Sequence, residues 1–285
     1  MSVAWINGDF VDTAAVNASA YDPGLLIGEG LFETLAAYNG RVFALREHLS
    51  RLESSSEALG LESLDFSAIH LAVQQGAERL SGSPVARIRV TVWRSALSST
   101  LQTSSTQVAC SVLAEPFVAP HLGTVNDTPA RLVTSQYVRN ERSALTGHKS
   151  TAYFENTLAL RSALSQGGTE ALLLNTRGEV SEGSTSNILF EIGGELITPP
   201  LSSGCLPGVT RHISLALAQE NNIPMREAHG DELTIASTQA ASAALLGTFR
   251  NVQQVSQWDG RPMTEGRLIT ALMDVFATHQ HKFLD

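Results

Sequence analysis

The stretch Glu115-Pro116-Phe117-Val118-Ala119-Pro120-His121-Leu122-Gly123 constrains the fold of this chain most, because it combines prolines and a glycine with no periodicity. Proline fixes φ and lacks a backbone donor, so no helix or central strand runs through such a segment. It divides 285 residues into two parts of ordinary domain size. We therefore expect a small N-terminal α/β domain over 1–118, a linker over 119–124, and a larger C-terminal domain over 125–285.

Both parts mix the two periodicities. Asn7-Gly8 and Asn39-Gly40 read as tight turns, with Phe32–Tyr38 a strand before the second. Tyr21-Asp22-Pro23-Gly24 reads as a further turn. Helices are expected near Arg46–Leu59 and Ser67–Leu80, and strands at Ala86–Trp93, Gln107–Leu113 and Arg131–Ser135. Beyond Lys149 a helix is expected, capped by Ser150 or Thr151, with Tyr153, Leu160, Ala163 and Leu164 on one stripe. A strand at Ala171–Leu174, a hairpin about Gly193-Gly194 and a helix from Val209 complete the pattern. The fold class is α/β (α+β), without internal repeats.

Apolar residues make up 43% of the chain, enough for a sizeable core. The net charge of -9 speaks against nucleic acid and anionic membrane as partners. Cys110 and Cys205 are the two cysteines, which fits a reducing, cytoplasmic setting. The N-terminus has neither a basic region nor a long apolar run, so no signal peptide is expected. The sequon Asn17-Ala18-Ser19 then carries no consequence.

Several local patterns carry chemistry. Lys149 stands in Gly147-His148-Lys149-Ser150-Thr151-Ala152-Tyr153, and Glu182 in Ser181-Glu182-Gly183-Ser184-Thr185-Ser186-Asn187. An amine that forms a Schiff base and a carboxylate that holds a pyridinium nitrogen are what pyridoxal phosphate chemistry requires. Gly204-Cys205-Leu206-Pro207-Gly208-Val209-Thr210-Arg211 opens a helix, where free N–H groups suit a phosphate. Gly247-Thr248 offers an N–H and a hydroxyl, and Arg51 a guanidinium, to the same kind of group. Taken singly, each has an ordinary reading: a solvated lysine, a turn carboxylate, a capped helix, a strand end, a surface arginine.

In this order the motifs resemble the class IV, or fold-type IV, pyridoxal-phosphate-dependent aminotransferase family. It includes branched-chain and D-amino acid aminotransferases and 4-amino-4-deoxychorismate lyase. The resemblance starts at Asp22-Pro23-Gly24 and Leu31-Phe32-Glu33-Thr34, passes through His48–Leu52, is strongest from Arg139 to Arg211, and persists to Trp258-Asp259-Gly260. It implies a two-domain enzyme in which Lys149 carries the cofactor and moves protons, and Glu182 partners the ring nitrogen. It further implies that Arg51, Val209, Thr210 and Thr248 hold the phosphate, that Leu206 packs against the ring, and that Tyr153 reaches its phenolic oxygen. A homodimer with the site at the domain junction is implied as well. Pro23 departs from the arginine that many relatives carry there.

Three points speak against the branched-chain branch: the short spacing from Lys149 to Tyr153, Thr34 after Phe32-Glu33, and Ile27. The D-amino acid branch expects an Arg-x-His pair after Trp93, and here the run is Arg94-Ser95-Ala96-Leu97-Ser98-Ser99-Thr100. The run Val138–Gly147 resembles the lyase, so the reading leans to a lyase releasing 4-aminobenzoate and pyruvate for folate synthesis, with an aminotransferase as the alternative. A silent cofactor-binding relative is the reading from another class. The substrate is expected to be a small anionic amine, with Phe32, Arg94, Arg139 and Arg142 as candidate contacts. No metal site is expected, since the eight histidines are scattered. Gly28-Glu29-Gly30 lacks the third glycine of a dinucleotide fingerprint, and no serine-hydrolase elbow occurs.

Overall fold

A computed structural model describes residues 2–15, 19–95 and 107–285. Asn17 and the positions 96–100 that follow Ser95 lie outside these described residues. The chain forms two units: 1–121 with 148–153 and 281–285, and 122–147 with 154–280.

The first unit contains β1 (Val3–Ile6), β2 (Asp9–Val11), α1 (Pro23–Leu26), β3 (Gly30–Tyr38), β4 (Arg41–Val42), α2 (Leu45–Ala58), α3 (Phe66–Glu78), β5 (Val85–Arg94) and β6 (Val108–Pro116). Its six strands pair in the order β2-β1-β6-β5-β3-β4. α2 and α3 pack on this sheet. α3 shows why: Ile69, Ala72, Val73, Gly76 and Ala77 are buried at helical spacing, and Asp65 caps the start by accepting from Ala68 N at 2.9 Å. The expected turn at Tyr21–Gly24 is instead the entry to α1, with Pro23 in the first turn, where its missing N–H costs nothing. β6 runs on to Pro116, so the break falls later than Glu115.

The second unit contains β7 (Asn126–Arg139), α4 (Phe154–Ser165), β8 (Glu170–Asn175), β9 (Val180–Gly183), β10 (Asn187–Ile192), β11 (Glu195–Thr198), α5 (Val209–Glu220), β12 (Met225–Glu227), α6 (Ile235–Thr238), β13 (Ser242–Gly247), β14 (Asn251–Trp258), β15 (Arg261–Pro262) and α7 (Arg267–His279). Its nine-stranded sheet runs β12-β11-β10-β13-β14-β7-β8-β9, with β15 on β14. Gly193 and Gly194 both take positive φ, 60° and 87°, as a two-residue hairpin turn requires. The core gathers Leu132, Leu172, Ile188, Phe190, Leu245, Val255 and Trp258.

Two expectations need correction around Lys149. The sequence placed this residue in the C-terminal part, whereas 148–153 joins the N-terminal unit. The cause is backbone pairing with β3: Phe32 N donates to Lys149 O and Thr151 N to Gly30 O, both at 2.8 Å. Ser150 and Thr151 are therefore not helix caps, because Ser150 bridges to Leu31 and the Thr151 hydroxyl donates to Gly28 O. α4 starts only at Phe154, after Tyr153, and buries Asn156, Ala159 and Ala163, while Leu164 is exposed. No described helix is long and apolar enough to cross a membrane.

Candidate active site

The sequence-predicted residues fall into two groups, one in each unit. In the N-terminal unit, Lys149 is held against β3 by the backbone bonds above. Its ammonium nitrogen lies 4.4 Å from the centre of the Phe32 ring and 5.3 Å from that of Tyr153. The two rings meet edge to face at 5.3 Å. Phe32 is buried and Lys149 half-buried, so the amine is lodged among aromatic walls.

Arg89, on β5, was not singled out by sequence reading. Its guanidinium carbon stacks 3.8 Å from the Phe32 ring centre. Burial, with help from Arg87, lowers its pKa. Two cations thus share one aromatic ring, an arrangement that favours a bound anion. A signal existed: Arg89 sits on the strand that pairs with Phe32-Glu33-Thr34, directly opposite Thr34.

Arg51 makes a two-pronged bond to Glu33, from Nε and Nη2 at 2.7 Å each. Glu33 also receives His48 Nδ1 at 2.8 Å. Both Glu33 and His48 are buried. Burial opposes the charge on Glu33, but Arg51 and His48 outweigh it and hold the carboxyl well below its ordinary value of 4.5. Burial keeps His48 neutral below its ordinary 6.5, with Arg51 and Lys149 adding to the effect against Glu33.

This cluster predicts acid sensitivity. Below about pH 6.5 the unfolded chain binds a proton that folded His48 refuses, and below about 4.5 one that Glu33 refuses. Stability should therefore fall as the pH drops through these two windows. Urea midpoints from pH 7 to 5 test this: the slope should flatten in His48→Gln, and an unchanged slope removes His48 as its cause. Losing Glu33 takes from Arg51 and His48 the carboxylate they share, which costs about 3–5 kcal/mol for a broken buried pair.

Arg94 is bound to Glu29 Oε1 at 2.6 Å and to Gly60 O at 2.8 Å. Its charge is already matched within the N-terminal unit.

In the C-terminal unit, Glu182 is buried at the end region of β9. One oxygen accepts from Leu206 N at 2.9 Å, and the other pairs with Arg139 at 3.0 Å. Arg139 thus serves the carboxylate, while Arg142 is exposed beside Glu141. Leu206 is half-buried in the loop before α5. Gly208 occupies the α5 N-cap without a side-chain bond to the helix. A Cβ there would collide with Asn187 Oδ1, so a larger residue would have to displace the Asn187 side chain. Val209 and Thr210 form the first turn, both buried. First-turn N–H groups have no partner within their helix and suit an anion. Thr248 lies half-buried in the turn between β13 and β14.

The described residues hold no cluster of metal-ligating side chains. What they hold is an amine among aromatic rings, a buried carboxylate fixed by two donors, and a glycine-capped helix start. The amine stands in the first unit and the other two in the second. Each is of a kind that one part of pyridoxal phosphate needs, an aldehyde, a ring nitrogen or a phosphate, and the class of protein such groups define is an enzyme dependent on that cofactor.

The sequence model of the family described as Amino-transferase class IV matches residues 30–258. The chain belongs to this family, whose members use pyridoxal phosphate. It is 32% identical to a putative branched-chain-amino-acid aminotransferase of Methanocaldococcus jannaschii, over 90% of this chain and 88% of the relative. A D-alanine aminotransferase of Staphylococcus aureus is 27% identical, over 94% and 93%. A branched-chain aminotransferase of Thermoproteus uzoniensis, solved with norvaline, superposes with a TM-score of 0.89 at 28% identity, over 99% and 98%. The relatives transfer amino groups, so they favour the aminotransferase alternative, and the leaning toward a lyase finds no specific support. Nor do the three points raised against the branched-chain branch keep the chain from matching such a relative along most of its length.

Proposed function

We propose that the protein is an aminotransferase for amino acids with small or branched apolar side chains. That class joins the D-alanine and branched-chain substrates named for its relatives. The observation that carries this reading is the shared ring: Lys149 and Arg89 both lie against Phe32. In it, Arg89 binds the substrate carboxylate, while Phe32 and Tyr153 offer an apolar wall to the side chain.

Bound pyridoxal phosphate supplies the sink for the electron pair left at the substrate Cα. Lys149 carries the cofactor, takes the Cα proton and returns it. Glu182 offers a carboxylate oxygen to the ring N–H. It retains acceptor capacity beside Leu206 N and Arg139, since an ionised carboxylate has about four lone-pair sites. Val209, Thr210, Thr248 and Arg51 hold the phosphate, and Leu206 supports the ring.

Exposed Leu25, Leu26 and Ile27 on and beside α1 support a homodimer. The free, buried thiols of Cys110 and Cys205 support a cytoplasmic setting.

The test is a substrate panel with 2-oxoglutarate as acceptor: L-valine, L-leucine, L-isoleucine, D-alanine and 4-amino-4-deoxychorismate. Keto acid formation from an apolar amino acid is expected. Release of 4-aminobenzoate with pyruvate, and no amino transfer, would return the lyase reading.

A further inference from the structure

Glu170, at the start of β8, is fully buried and has no part in the chemistry above. Its carboxylate nevertheless collects the hydroxyls of three consecutive residues. Ser184 donates to Oε1, and Thr185 and Ser186 donate to Oε2, the last two at 2.6 and 3.0 Å. Ala171 N reaches Oε1 at 3.0 Å and Arg250 Nη2 reaches Oε2 at 3.1 Å. A buried carboxylate with so many donors is a stiff template, because breaking any one bond strands a polar group away from water.

The segments bound to this template are those that carry cofactor contacts. The turn 183–186 directly follows Glu182, and it closes through Gly183 N to Ser186 O at 2.7 Å. The turn packs closely on the template at Gly183, where a Cβ would displace Ser186 Oγ and lie 3.2 Å from the Glu170 carboxyl carbon. Arg250 closes the turn that carries Thr248, its N–H donating to Gly247 O at 3.0 Å. Asn187, next after Ser186, donates to Leu206 O at 2.9 Å and packs onto Gly208 at the entrance to α5.

We propose that Glu170 is a positioning residue that sets Glu182, Thr248 and the α5 entrance in register for the cofactor. This rests on the reading of Glu182, Thr210 and Thr248 as cofactor contacts. Glu170 itself touches none of the reacting atoms. Its three hydroxyl donors spend their protons on it and are not offered to the phosphate.

The experiment compares wild type, Glu170→Gln, Thr185→Val/Ser186→Ala and Glu182→Gln. Each is stripped of cofactor, and pyridoxal phosphate is titrated back while its absorbance is followed. Glutamine keeps the shape but swaps one acceptor for a donor, which then faces hydroxyl or Arg250 donors. The Kd should rise at least tenfold in Glu170→Gln and three- to tenfold in the double variant, with a shifted absorbance band in the loaded protein. The melting temperature of the cofactor-free protein is recorded in parallel. A lower melting temperature with Kd within twofold of wild type and an unchanged band is what a merely structural role gives, and it overturns the proposal. Should Glu170→Gln fail to fold, the double variant decides by the same criterion. If Glu182→Gln moves the band while neither Glu170-site variant moves Kd, the proposal alone fails. If Glu182→Gln leaves the band unmoved, the reading of Glu182 fails and the proposal falls with it.

Discussion

Borohydride treatment of the loaded enzyme should leave one modified peptide, the one containing Lys149. Lys149→Ala should retain its fold, since the segment is held by backbone bonds to β3 rather than by the lysine side chain. Turnover should nonetheless fall by at least about 10³-fold, within the range expected when a general base is removed. The surroundings explain why the loss should be so specific. The amine lies over Phe32 and Tyr153, and these two rings keep their edge-to-face contact with each other when the lysine side chain is gone. Peptide mapping is the check, with a far-ultraviolet spectrum to confirm folding. A label on Lys282, the only other lysine, would defeat the assignment.

Glu182→Gln should come second in effect. Glutamine can still accept from Leu206 N through its carbonyl, so the loop before α5 keeps its tie. Its amide, however, presents donors to Arg139 and, in the site proposed above, to the cofactor ring, both of which need an acceptor. Loss of a charge-assisted hydrogen bond is worth about 1.5–3 kcal/mol, or roughly 10- to 100-fold in rate. We expect slower release of the substrate Cα proton by about that factor, read from single turnovers with and without deuterium at Cα. Equal single-turnover rates in the variant and wild type would remove Glu182 from the mechanism.

Much of the fold was legible because it is local. The helix expected over Ser67–Leu80, found as α3, and the Gly193-Gly194 hairpin depend on residues within a few positions of one another. The surroundings of Lys149 were not legible, because Ser150 and Thr151 are claimed by β3 and the turn before it, more than a hundred residues earlier. The same holds for the arginines. Arg94 and Arg139, read as contacts for a substrate carboxylate, face Glu29 and Glu182, and Arg51, read as a phosphate clamp, also pairs with Glu33. Charge type is visible in a sequence, whereas charge pairing is set by tertiary contacts. Arg89 illustrates the converse. It looked like one polar position in an alternating strand, and only the pairing of β5 with β3 brings it to Phe32. Glu170 escaped notice for a related reason, since its partners were read as a serine-rich turn.

Residues 281–285 belong to the unit built by the beginning of the chain. Phe283 O accepts from Ala44 N, Asp285 Oδ2 caps α2 at Leu45 N, and Asp285 N returns to Val42 O. The start of α2, the helix that carries His48 and Arg51, is thus finished by a residue made 240 positions later. A chain halted after residue 121 would lack both the segment 148–153 and this cap, so the first 121 residues do not by themselves supply every part of the first unit. Proteolytic trimming of 281–285 should accordingly be felt at α2, far away in the sequence.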